Sequence, residues 1–395
     1  LAQCHVVISW VGLMSSSKHI AFLTGTRADY GKIKPLILAA SHEGFKVSVF
    51  ATGMHMLERF GSTILEVART LPETVRIFPF ENQILGDPMD VVVANTIKGL
   101  SHFIQENQPD LLIVHGDRPE ALAGAISGAL SNTRVVHIEG GELSGTIDGV
   151  IRHAVSKLSH IHLVANEEAK KRLLQLGEDS STIHIIGSPD LDIMLSPSLP
   201  TLAEAKSRYG IEFDSYFIAI FHPVTTDLEA SALAATEFVN GLIDSGENFV
   251  VIHPNNDTGF ERIINEYKRL ADHSKRFRQF ESLRFEHFLV LLKNSHGMVG
   301  NSSAGIREAP LYGIPSIDVG DRQRGRHDSA SISQVPARAE EIVAAIHGAK
   351  QQGPTNSEQE FGDGKSTERF TELLHSGVLF EARVDKVFVD LKDVM

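Results

Sequence analysis

The middle of the chain carries five acidic residues in two glycine-rich loops, and each loop follows an apolar stretch. The stretches are LLIVHG (111–116) and RVVHIE (134–139), and the acids are Asp117, Glu120, Glu139, Glu142 and Asp148. In an open α/β sheet, the loops at the carboxyl ends of the strands line the ligand crevice. Carboxylates that converge there beside Arg118 and His137 form a candidate acid/base site. A lone acid would be interpreted as a helix cap, but the repetition at two consecutive strand ends favours chemistry.

Two further loops have the composition of anion-binding helix N-termini, where backbone amides and the helix dipole attract phosphate. The first loop, GTRADYG (25–31), follows an apolar stretch and offers Arg27 as a charge-assisted donor. A tight turn with a surface arginine fits the same residues equally well, and the loop lacks the GxGxxG spacing of a dinucleotide fingerprint. The second loop, NSSAG (301–305), places Ser302 and Ser303 at the start of a predicted helix.

Two His-Pro sequences end apolar stretches in the second part of the chain. They are HPVTTD (222–227) and HPNNDTG (253–259), and they place His222 and Asn255 at strand ends. A strand-end histidine in a cleft acts as a general acid or as a phosphate donor, whereas the alternative is a buried histidine with its hydrogen bonds satisfied. The repetition at equivalent points slightly favours the functional interpretation.

Charged residues after NSSAG complete the set of candidates. Glu308 lies in the predicted helix, and three interpretations of it stay open. Its carboxylate accepts hydrogen bonds from ribose hydroxyls, or it forms a salt bridge with Arg307, or it belongs to a solvated face. The loop GDRQRGRH (320–327) contains three arginines beyond the next predicted strand: Arg322, Arg324 and Arg326. We expect at least one of them to bind phosphate, and the others to belong to a solvated basic loop.

The elements that position these residues alternate between apolar, β-branched stretches and helical patterns. Strands are predicted at 19–24, 46–52, 74–80, 111–116, 134–139, 161–165, 183–187, 216–223, 248–254, 297–300 and 315–320. Helices are predicted at 32–43, 88–107, 119–130, 149–159, 167–176, 229–244, 260–272, 304–312 and 338–348. The strands are continuously apolar rather than alternating, which is typical of parallel sheets with helices on both faces.

The sequence SPSLP (196–200) interrupts this alternation and is the predicted linker. We therefore predict an α/β protein with two tandem Rossmann-like, doubly wound domains, at 18–195 and 196–375. A cleft between two such domains is a natural ligand site.

The ends of the chain carry separate predictions. Residues 1–17 are predicted to be an N-terminal extension, because Met14 opens a sequence that looks like a natural start; the alternative is a short apolar segment packed on the domain. The polar segment 351–367 is predicted to be a loop. Residues 376–395 are predicted to be a C-terminal segment that crosses back to the first domain. FTELLHSGV (370–378) and the C-terminal FVDLKDVM (388–395) are predicted to form helical segments of this crossing.

Composition excludes several classes of function. The 395 residues are enough for two ordinary domains, and the formal net charge of -13 provides no basic footprint for nucleic acid or an anionic membrane. No apolar stretch is long enough to span a bilayer. The single cysteine, Cys4, excludes an intrachain disulfide and fits a reducing compartment. No Cys/His cluster has zinc-ligand spacing and no HExxH motif occurs, so we predict no metal site.

The motifs together resemble one known family. GTRADYGKIKPL, IVHGDRPEALAGA, HIEGGELSGTID, IRHAVSKLSHIHLVANE, IIGSPDLD, FHPVTTD, HPNNDTG, MVGNSSAGIREAPLYG and IPSIDVGDRQ occur in this order from about His19 to the C-terminus. They closely resemble the hydrolysing UDP-N-acetylglucosamine 2-epimerases of sialic acid synthesis, especially the bacterial capsule enzymes. The resemblance implies a two-domain fold of the glycosyltransferase-B type and the reaction of UDP-GlcNAc with water to N-acetylmannosamine and UDP. It also implies no cofactor, a homo-oligomer and a cytoplasmic location.

Carried over position by position, the resemblance assigns roles to eleven residues. The catalytic residues it implies are Asp117, Glu139, Asp148 and His222. The UDP contacts it implies are Arg27, Arg118, Asn255, Ser302, Ser303, Glu308 and Arg322. It leaves Glu120 and Glu142 as structural acids. One departure is visible, because related sequences often carry an acid and a serine where this chain has Gly149 and Val150; we expect an effect on loop order or local hydrogen bonding at most.

The implied chemistry is an elimination followed by a hydration. The C2 hydrogen of the sugar is not next to a carbonyl group, so it is not acidic in the substrate. The anomeric C–O bond therefore breaks first, and the resulting cationic centre makes the C2 hydrogen acidic. A carboxylate then removes the proton to leave 2-acetamidoglucal, and water adds at C1 while C2 is protonated from the opposite face. The alternatives are the same chemistry on UDP-2,4-diacetamido-2,4,6-trideoxyglucose, a non-hydrolysing epimerase, a glycosyltransferase of the same fold and a non-catalytic nucleotide-sugar-binding protein. HIEGGELSGTID and FHPVTTD favour the hydrolysing branch.

Overall fold

The computed structural model describes residues 18–144, 147–325 and 329–390. The predicted N-terminal extension, Arg326 of the basic loop and the last five residues lie outside these ranges. Within these ranges, the chain forms two α/β units, and each unit is built on one parallel sheet.

The first sheet has seven strands in the order β3-β2-β1-β4-β5-β6-β7, and all neighbouring strands are parallel. Its strands are β1 (His19–Thr24), β2 (Lys46–Ala51), β3 (Val75–Pro79), β4 (Leu111–His115), β5 (Arg134–Ile138), β6 (Ile161–Val164) and β7 (Ile183–Ile185). The helices between and after them are α1 (Arg27–His42), α2 (Ile64–Thr70), α3 (Met89–Asn107), α4 (Pro119–Leu130), α5 (Ile147–Leu158) and α6 (Glu167–Gln175). All seven strands were predicted from the sequence.

A short connecting helix, α7 (Pro189–Met194), leads to the second sheet, whose six strands follow the order β10-β9-β8-β11-β12-β13. These strands are β8 (Phe217–Ile220), β9 (Phe249–Ile252), β10 (Phe277–Phe280), β11 (Met298–Gly300), β12 (Ser316–Val319) and β13 (Ile332–Val335), and all are parallel to their neighbours. The helices that accompany them are α8 (Leu202–Tyr209), α9 (Leu228–Asp244), α10 (Phe260–Tyr267), α11 (Phe285–Lys293), α12 (Glu308–Leu311) and α13 (Ala339–Gln352).

Both sheets follow the Rossmann strand order, which confirms the predicted fold class. In each sheet the order reverses beside its first strand, between β1 and β4 and between β8 and β11. Loops at such a reversal leave the sheet in opposite directions and open a crevice at the carboxyl ends of the strands. The loops that carry the predicted site residues follow these four strands and their neighbours.

The sequence analysis missed the two edge strands of the second sheet. β10 has the sequence FRQF and β13 has the sequence ISQV, so polar residues interrupt both apolar stretches. Edge strands have only one neighbour and are exposed at the side of the sheet, which removes the demand for continuous apolar residues.

The last helices, α14 (Ser366–Ser376) and α15 (Val378–Glu381), pack on the first sheet's layer. Phe370 and Leu374 of α14, with Leu379 of α15, belong to the same apolar cluster as Phe22 of β1 and Ile33 of α1. FTELLHSGV is thus largely helical as predicted. The helical prediction for FVDLKDVM is wrong for residues 388–390, which are not helical, and its remainder lies outside the described residues.

We refer to the first sheet with α1–α6, α14 and α15 as the N-lobe, and to the second sheet with α8–α13 as the C-lobe. The connecting helix α7 packs against α1, yet Leu191 and Met194 on it join the apolar core of the C-lobe. The domain boundaries at 195/196 and 375/376 stay predictions. In the described part of the chain, no helix has the length and apolar character that crossing a membrane requires.

Candidate active site

The strand ends of both lobes open onto one cleft. One cavity in the cleft is lined by eight of the predicted site residues: Asp117, Arg118, Glu139, Asp148, His222, Asn255, Ser303 and Arg322. An adjoining cavity shares His222, Asn255 and Ser303 and adds the other three, which are Arg27, Ser302 and Glu308. The fold therefore brings all eleven residues to the same cleft, although they are spread over almost 300 positions of the chain.

Asp117 follows β4 at a turn where Gly116 takes a φ of +70°. Its carboxylate accepts a hydrogen bond from the guanidinium group of Arg152 and one of 3.0 Å from the hydroxyl group of Ser144. Arg152 is buried on α5, so the ion pair is largely shielded from water on the arginine side. Asp117 is therefore a fixed anionic group on the N-lobe wall of the cleft.

Glu139 follows β5 with a φ of +62°, a left-handed conformation that costs on the order of 1 kcal/mol for a residue with a side chain. Its buried carboxylate accepts hydrogen bonds from Ser188 and from Arg307 (2.7 Å), and it lies 3.2 Å from Nε2 of His115. Burial alone raises the pKa of this carboxyl group, but Arg307, Lys32 and His115 lower it well below its usual range. Glu139 is therefore ionised and held from both lobes.

Asp148 lies in the first turn of α5 and faces the C-lobe, where Nη2 of Arg322 donates to its Oδ2 at 3.0 Å. Burial and the charge of Asp117 raise the pKa of Asp148, although Arg322 opposes them. The surroundings of Asp148 therefore favour its protonated form more than water would. The departure at Gly149 is a packing feature, because a Cβ there would lie 2.6 Å from the carbonyl oxygen of Ser144.

His222 follows β8 and is buried in the cleft wall. Its Nδ1 accepts a hydrogen bond of 3.2 Å from the backbone N–H of Asn255, and both its backbone N–H and its carbonyl oxygen bond to the side chain of Asn301. The pKa of His222 is lowered to about 3, mainly by burial. The charge of Arg322 also lowers this pKa, and its effect is larger than the opposite effect of Asp257. The ring is therefore neutral, and because Nδ1 must accept, the proton resides on Nε2. His222 is a neutral donor rather than a cation.

The NSSAG loop forms a short 3-10 turn rather than the start of a long helix. Ser302 caps this turn, Ser303–Gly305, and α12 then covers only Glu308–Leu311. The prediction of one helix over 304–312 is therefore wrong, because Gly305 and Pro310 are poor residues for a continuous helix here. Glu308 is buried with its Oε1 3.5 Å from Nζ of Lys32, so it neither pairs with its neighbour in sequence nor faces solvent.

Three of the predicted arginines bridge the lobes. Arg27 begins α1 and donates to the hydroxyl group of Ser282 in the C-lobe (2.6 Å). Arg118 precedes α4 and donates to Asp257 in the C-lobe (2.9 Å). Arg322 reaches in the opposite direction, to Asp148. Arg324 points elsewhere and forms an exposed pair, so of the described arginines in this loop only the first lines the cleft.

Several titratable groups around the predicted acids were not predicted as site residues from the sequence. They are Lys32, His115, Arg152, Asp190 and Arg307. The signal that would have found Lys32 and Arg152 is their place on the apolar face of a helix, where an ion needs a partner. The partners themselves lie far away along the chain, so no local pattern identifies them.

Glu120 and Glu142 do not line either cavity, in keeping with the structural roles predicted for them. Glu120 is buried beneath a loop of the N-lobe, where a Cβ on Gly53 would lie 2.5 Å from its Oε1. Glu142 accepts a hydrogen bond from Arg307 and so contributes to the contact between the lobes.

Two facing Rossmann sheets, with acids on one wall of the cleft and arginine, histidine and serine donors on the other, define a two-domain enzyme of the glycosyltransferase-B type. The fold is similar to the crystal structure of Methanocaldococcus jannaschii UDP-GlcNAc 2-epimerase in complex with UDP-GlcNAc and UDP. That similarity has a TM-score of 0.78 at 20% identity, and it covers 91% of this chain and 100% of that chain.

Sequence comparison identifies the particular family. Residues 39–375 match the family model of UDP-N-acetylglucosamine 2-epimerase, and the chain belongs to this family. It is 50% identical to UDP-N-acetylglucosamine 2-epimerase of Neisseria meningitidis serogroup B, over 95% of this chain and 99% of the relative. It is 32% identical to the hydrolysing UDP-N,N'-diacetylbacillosamine 2-epimerase of Legionella pneumophila, over 92% of this chain and 98% of that protein.

Proposed function

We propose that this protein is a hydrolysing 2-epimerase that converts UDP-GlcNAc and water to N-acetylmannosamine and UDP, the first step of sialic acid synthesis. The observation that carries the proposal is the arrangement of the cleft: three N-lobe carboxyl groups face a set of C-lobe hydrogen-bond donors across one cavity. The 50% identical relative supports UDP-GlcNAc as the substrate.

In this proposal, the C-lobe wall binds UDP and takes up the charge of the leaving group. Arg322 supplies a cation, and the Nε2–H of neutral His222 supplies a hydrogen bond. Ser302 and Ser303 add hydroxyl groups at the 3-10 turn. Donors fixed before the reaction stabilise developing charge without reorganisation, so the diphosphate leaves without a redox cofactor or a metal in the scheme. Arg27, Arg118, Asn255 and Glu308 complete the proposed nucleotide contacts.

The N-lobe wall moves the protons in this proposal. The C1–O bond breaks, its electrons leave with UDP, and an ionised carboxylate takes the C2 proton as the C1=C2 bond forms. We assign removal of the proton and activation of water to Asp117 and Glu139, because both are held as anions by arginine. We assign to Asp148 the delivery of a proton to the opposite face of C2 while water adds its hydroxyl group at C1, because burial and the charge of Asp117 raise its pKa.

The main alternative is the same chemistry on the diacetylated, 6-deoxy sugar. The relative that acts on such a sugar by its name is 32% identical, against 50% for the relative named for UDP-GlcNAc. We also propose a homo-oligomer in the cytoplasm, since family members are usually oligomers and the proposed substrate is intracellular. Both follow from the family resemblance.

Proton NMR of the purified protein with UDP-GlcNAc in deuterated water tests the proposal. We expect free N-acetylmannosamine with deuterium at C2, together with UDP. UDP-ManNAc as the product would assign the chain to the non-hydrolysing branch, and turnover of only the diacetylated sugar would favour the alternative.

Variants test the assigned carboxylates in the same assay. Asp117→Asn and Glu139→Gln should each lower the rate by about 10²–10⁴ if the groups transfer protons. Asp385→Asn is the matched control, because this exposed aspartate on the C-terminal tail pairs only with Arg383 among the described residues and lies outside the cleft. Near-normal turnover of the first two variants would refute the assignment.

A further inference from the structure

Arg307 belongs to the C-lobe, but its side chain is surrounded by acids from other parts of the chain. It directly precedes α12, and only 4% of its side chain is exposed. Its Nη2 donates to Glu139 at 2.7 Å, and its Nη1 donates to Glu142. Asp190 of the connecting helix lies 3.6 Å away, and the ring of Phe361 packs against the guanidinium group at 4.6 Å.

The remaining charges near Glu139 do not replace Arg307. Lys32 contacts Asp190 at 2.9 Å and also lies near Glu308 at 3.5 Å, so its charge is shared. Arg152 donates to the backbone carbonyl oxygen of Glu139 at 2.6 Å, whereas its other terminal nitrogen bonds to Asp117. His115 faces Glu139 from β4.

Without Arg307, the acids Glu139, Glu142 and Asp190 would be left with too little positive charge. Buried carboxylates that lack a partner take up protons, because the interior of a protein solvates an unpaired charge poorly. Among the groups that lower the pKa of Glu139, Arg307 has the largest effect, followed by Lys32 and His115. Removing Arg307 therefore raises the proton affinity of Glu139, and no other C-lobe cation in the described part of the chain forms an ion pair with it.

We propose that Arg307 is a positioning residue that balances the charge of the buried Glu139 carboxylate and fixes its orientation while the two lobes are in contact. The proposal rests on the proposed function, in which Glu139 takes or directs a proton. Separation of the lobes would withdraw the guanidinium group and admit water to the carboxylate, so that Glu139 would lose its fixed position. Closing the cleft therefore brings the base into its working position.

The pH dependence of Arg307→Met and Arg307→Lys tests this role. We expect Arg307→Met to lower kcat by about 10²–10³ at neutral pH, with KM changed less than about threefold. The acidic limb of its kcat profile should move above neutral pH, towards the value of about 8–9 that buried glutamates without a partner reach, so that activity partly recovers in alkaline solution. Arg307→Lys should restore part of the rate, because a cation remains. Arg324→Met is the matched control, because 71% of this side chain is exposed and it pairs with Asp321 outside the cleft.

A charge-compensated variant guards against misfolding of the single substitution. Arg307→Met with Glu142→Gln removes the arginine together with the charge of one of its acidic partners, which would otherwise keep only Arg152, 3.8 Å away, as a cation. This double variant should keep the shifted acidic limb, whereas Glu142→Gln alone should keep the wild-type limb. A wild-type limb in the folded double variant, or an effect confined to KM, would overturn the proposal.

Infrared spectroscopy separates this proposal from the proposed function, because it needs no turnover. At neutral pH, Arg307→Met should show a carboxylic acid band that is absent from the wild type and from Arg307→Met with Glu139→Gln. Absence of that band in Arg307→Met contradicts the role of Arg307 whatever reaction the enzyme catalyses. If Arg307→Met shows the band but the wild-type protein makes no N-acetylmannosamine, the proposed function is refuted and the role of Arg307 is not.

Discussion

Replacement of Glu178 by glutamine should destabilise the N-lobe by an amount that depends on pH. Glu178 is buried, and its carboxylate lies 3.0 Å from Nζ of Lys157, 3.0 Å from Nε2 of His162 and 2.5 Å from Nζ of Lys386. Lys386 comes from the C-terminal tail and also donates to the carbonyl oxygens of Ser156 and Lys157 near the end of α5. The carboxylate thus joins the end of the chain to the helix that carries Asp148.

The magnitude follows from the pKa of Glu178. Burial by itself raises this pKa, but the hydrogen bonds from His162 and Lys386 lower it from the usual 4.5 to about 2. Such a difference between the unfolded and folded states corresponds to about 3 kcal/mol of stability at neutral pH. Because the folded pKa is the lower one, this stabilisation is complete above the unfolded value and is lost as the pH falls from about 4.5 towards 2.

Urea unfolding followed by circular dichroism measures this effect. At pH 7, Glu178→Gln should reduce the free energy of unfolding by about 3 kcal/mol, and near pH 3.5 by about 2 kcal/mol. Glu168→Gln is the matched control, since this exposed glutamate pairs with Lys171 on the surface, where solvent screens the pair and its loss should leave the unfolding curve nearly unchanged. A loss below about 0.5 kcal/mol for Glu178→Gln, or a loss that stays constant down to the lower pH, would refute the reasoning.

Three further substitutions have defined outcomes. Gly300→Ala should lower the thermal midpoint sharply and cost about 3 kcal/mol or more of stability. The reason is that φ is +139° and a Cβ would lie 1.8 Å from the carbonyl oxygen of Ile220. Gly348→Ala is the control, because Gly348 on α13 has open space around it and the change should be neutral or stabilising. His222→Gln should lower kcat by about 10–10³ through the loss of a leaving-group donor. The wild-type kcat profile should show no limb from His222 between about pH 5 and 8, since its pKa is about 3, and a limb that this variant abolishes would contradict the assignment. Phe370→Ala, in the N-lobe core, should cost about 3–5 kcal/mol, which calorimetry would detect as earlier unfolding of that lobe.

The buried strands were predictable because a parallel sheet covered on both faces demands continuous apolar residues. That demand fails at the sheet edges, so β10 and β13 carried no such signal. The helical ends were harder to predict, because local capping decides them: α1 begins at Arg27, five residues before the predicted start, since Thr26 and Asp29 form a capping box. The broken helix around Glu308 likewise depends on one glycine and one proline.

The cleft acids were predictable because strand ends gather at one edge of a sheet whatever the details of the fold. Their ionisation states were not, because these depend on groups from distant parts of the chain. Arg307 meets Glu139 across 168 positions, and Arg322 meets Asp148 across 174. Nothing local in the sequence indicates the left-handed backbone of Glu139 either, because only the surrounding contacts hold a side-chain-bearing residue there.

The return of α14 to the N-lobe also determines the order in which the parts of this chain fold during synthesis. The C-lobe, from α8 to α13, is continuous in sequence, so all of its strands are synthesised before Phe370, Leu374 and Leu379. The N-lobe begins first but lacks part of its apolar core until the last thirty or so residues emerge. The N-lobe, which is synthesised first, is therefore expected to complete its folding last. A chain that terminates before α14 would expose the apolar surface that these side chains cover.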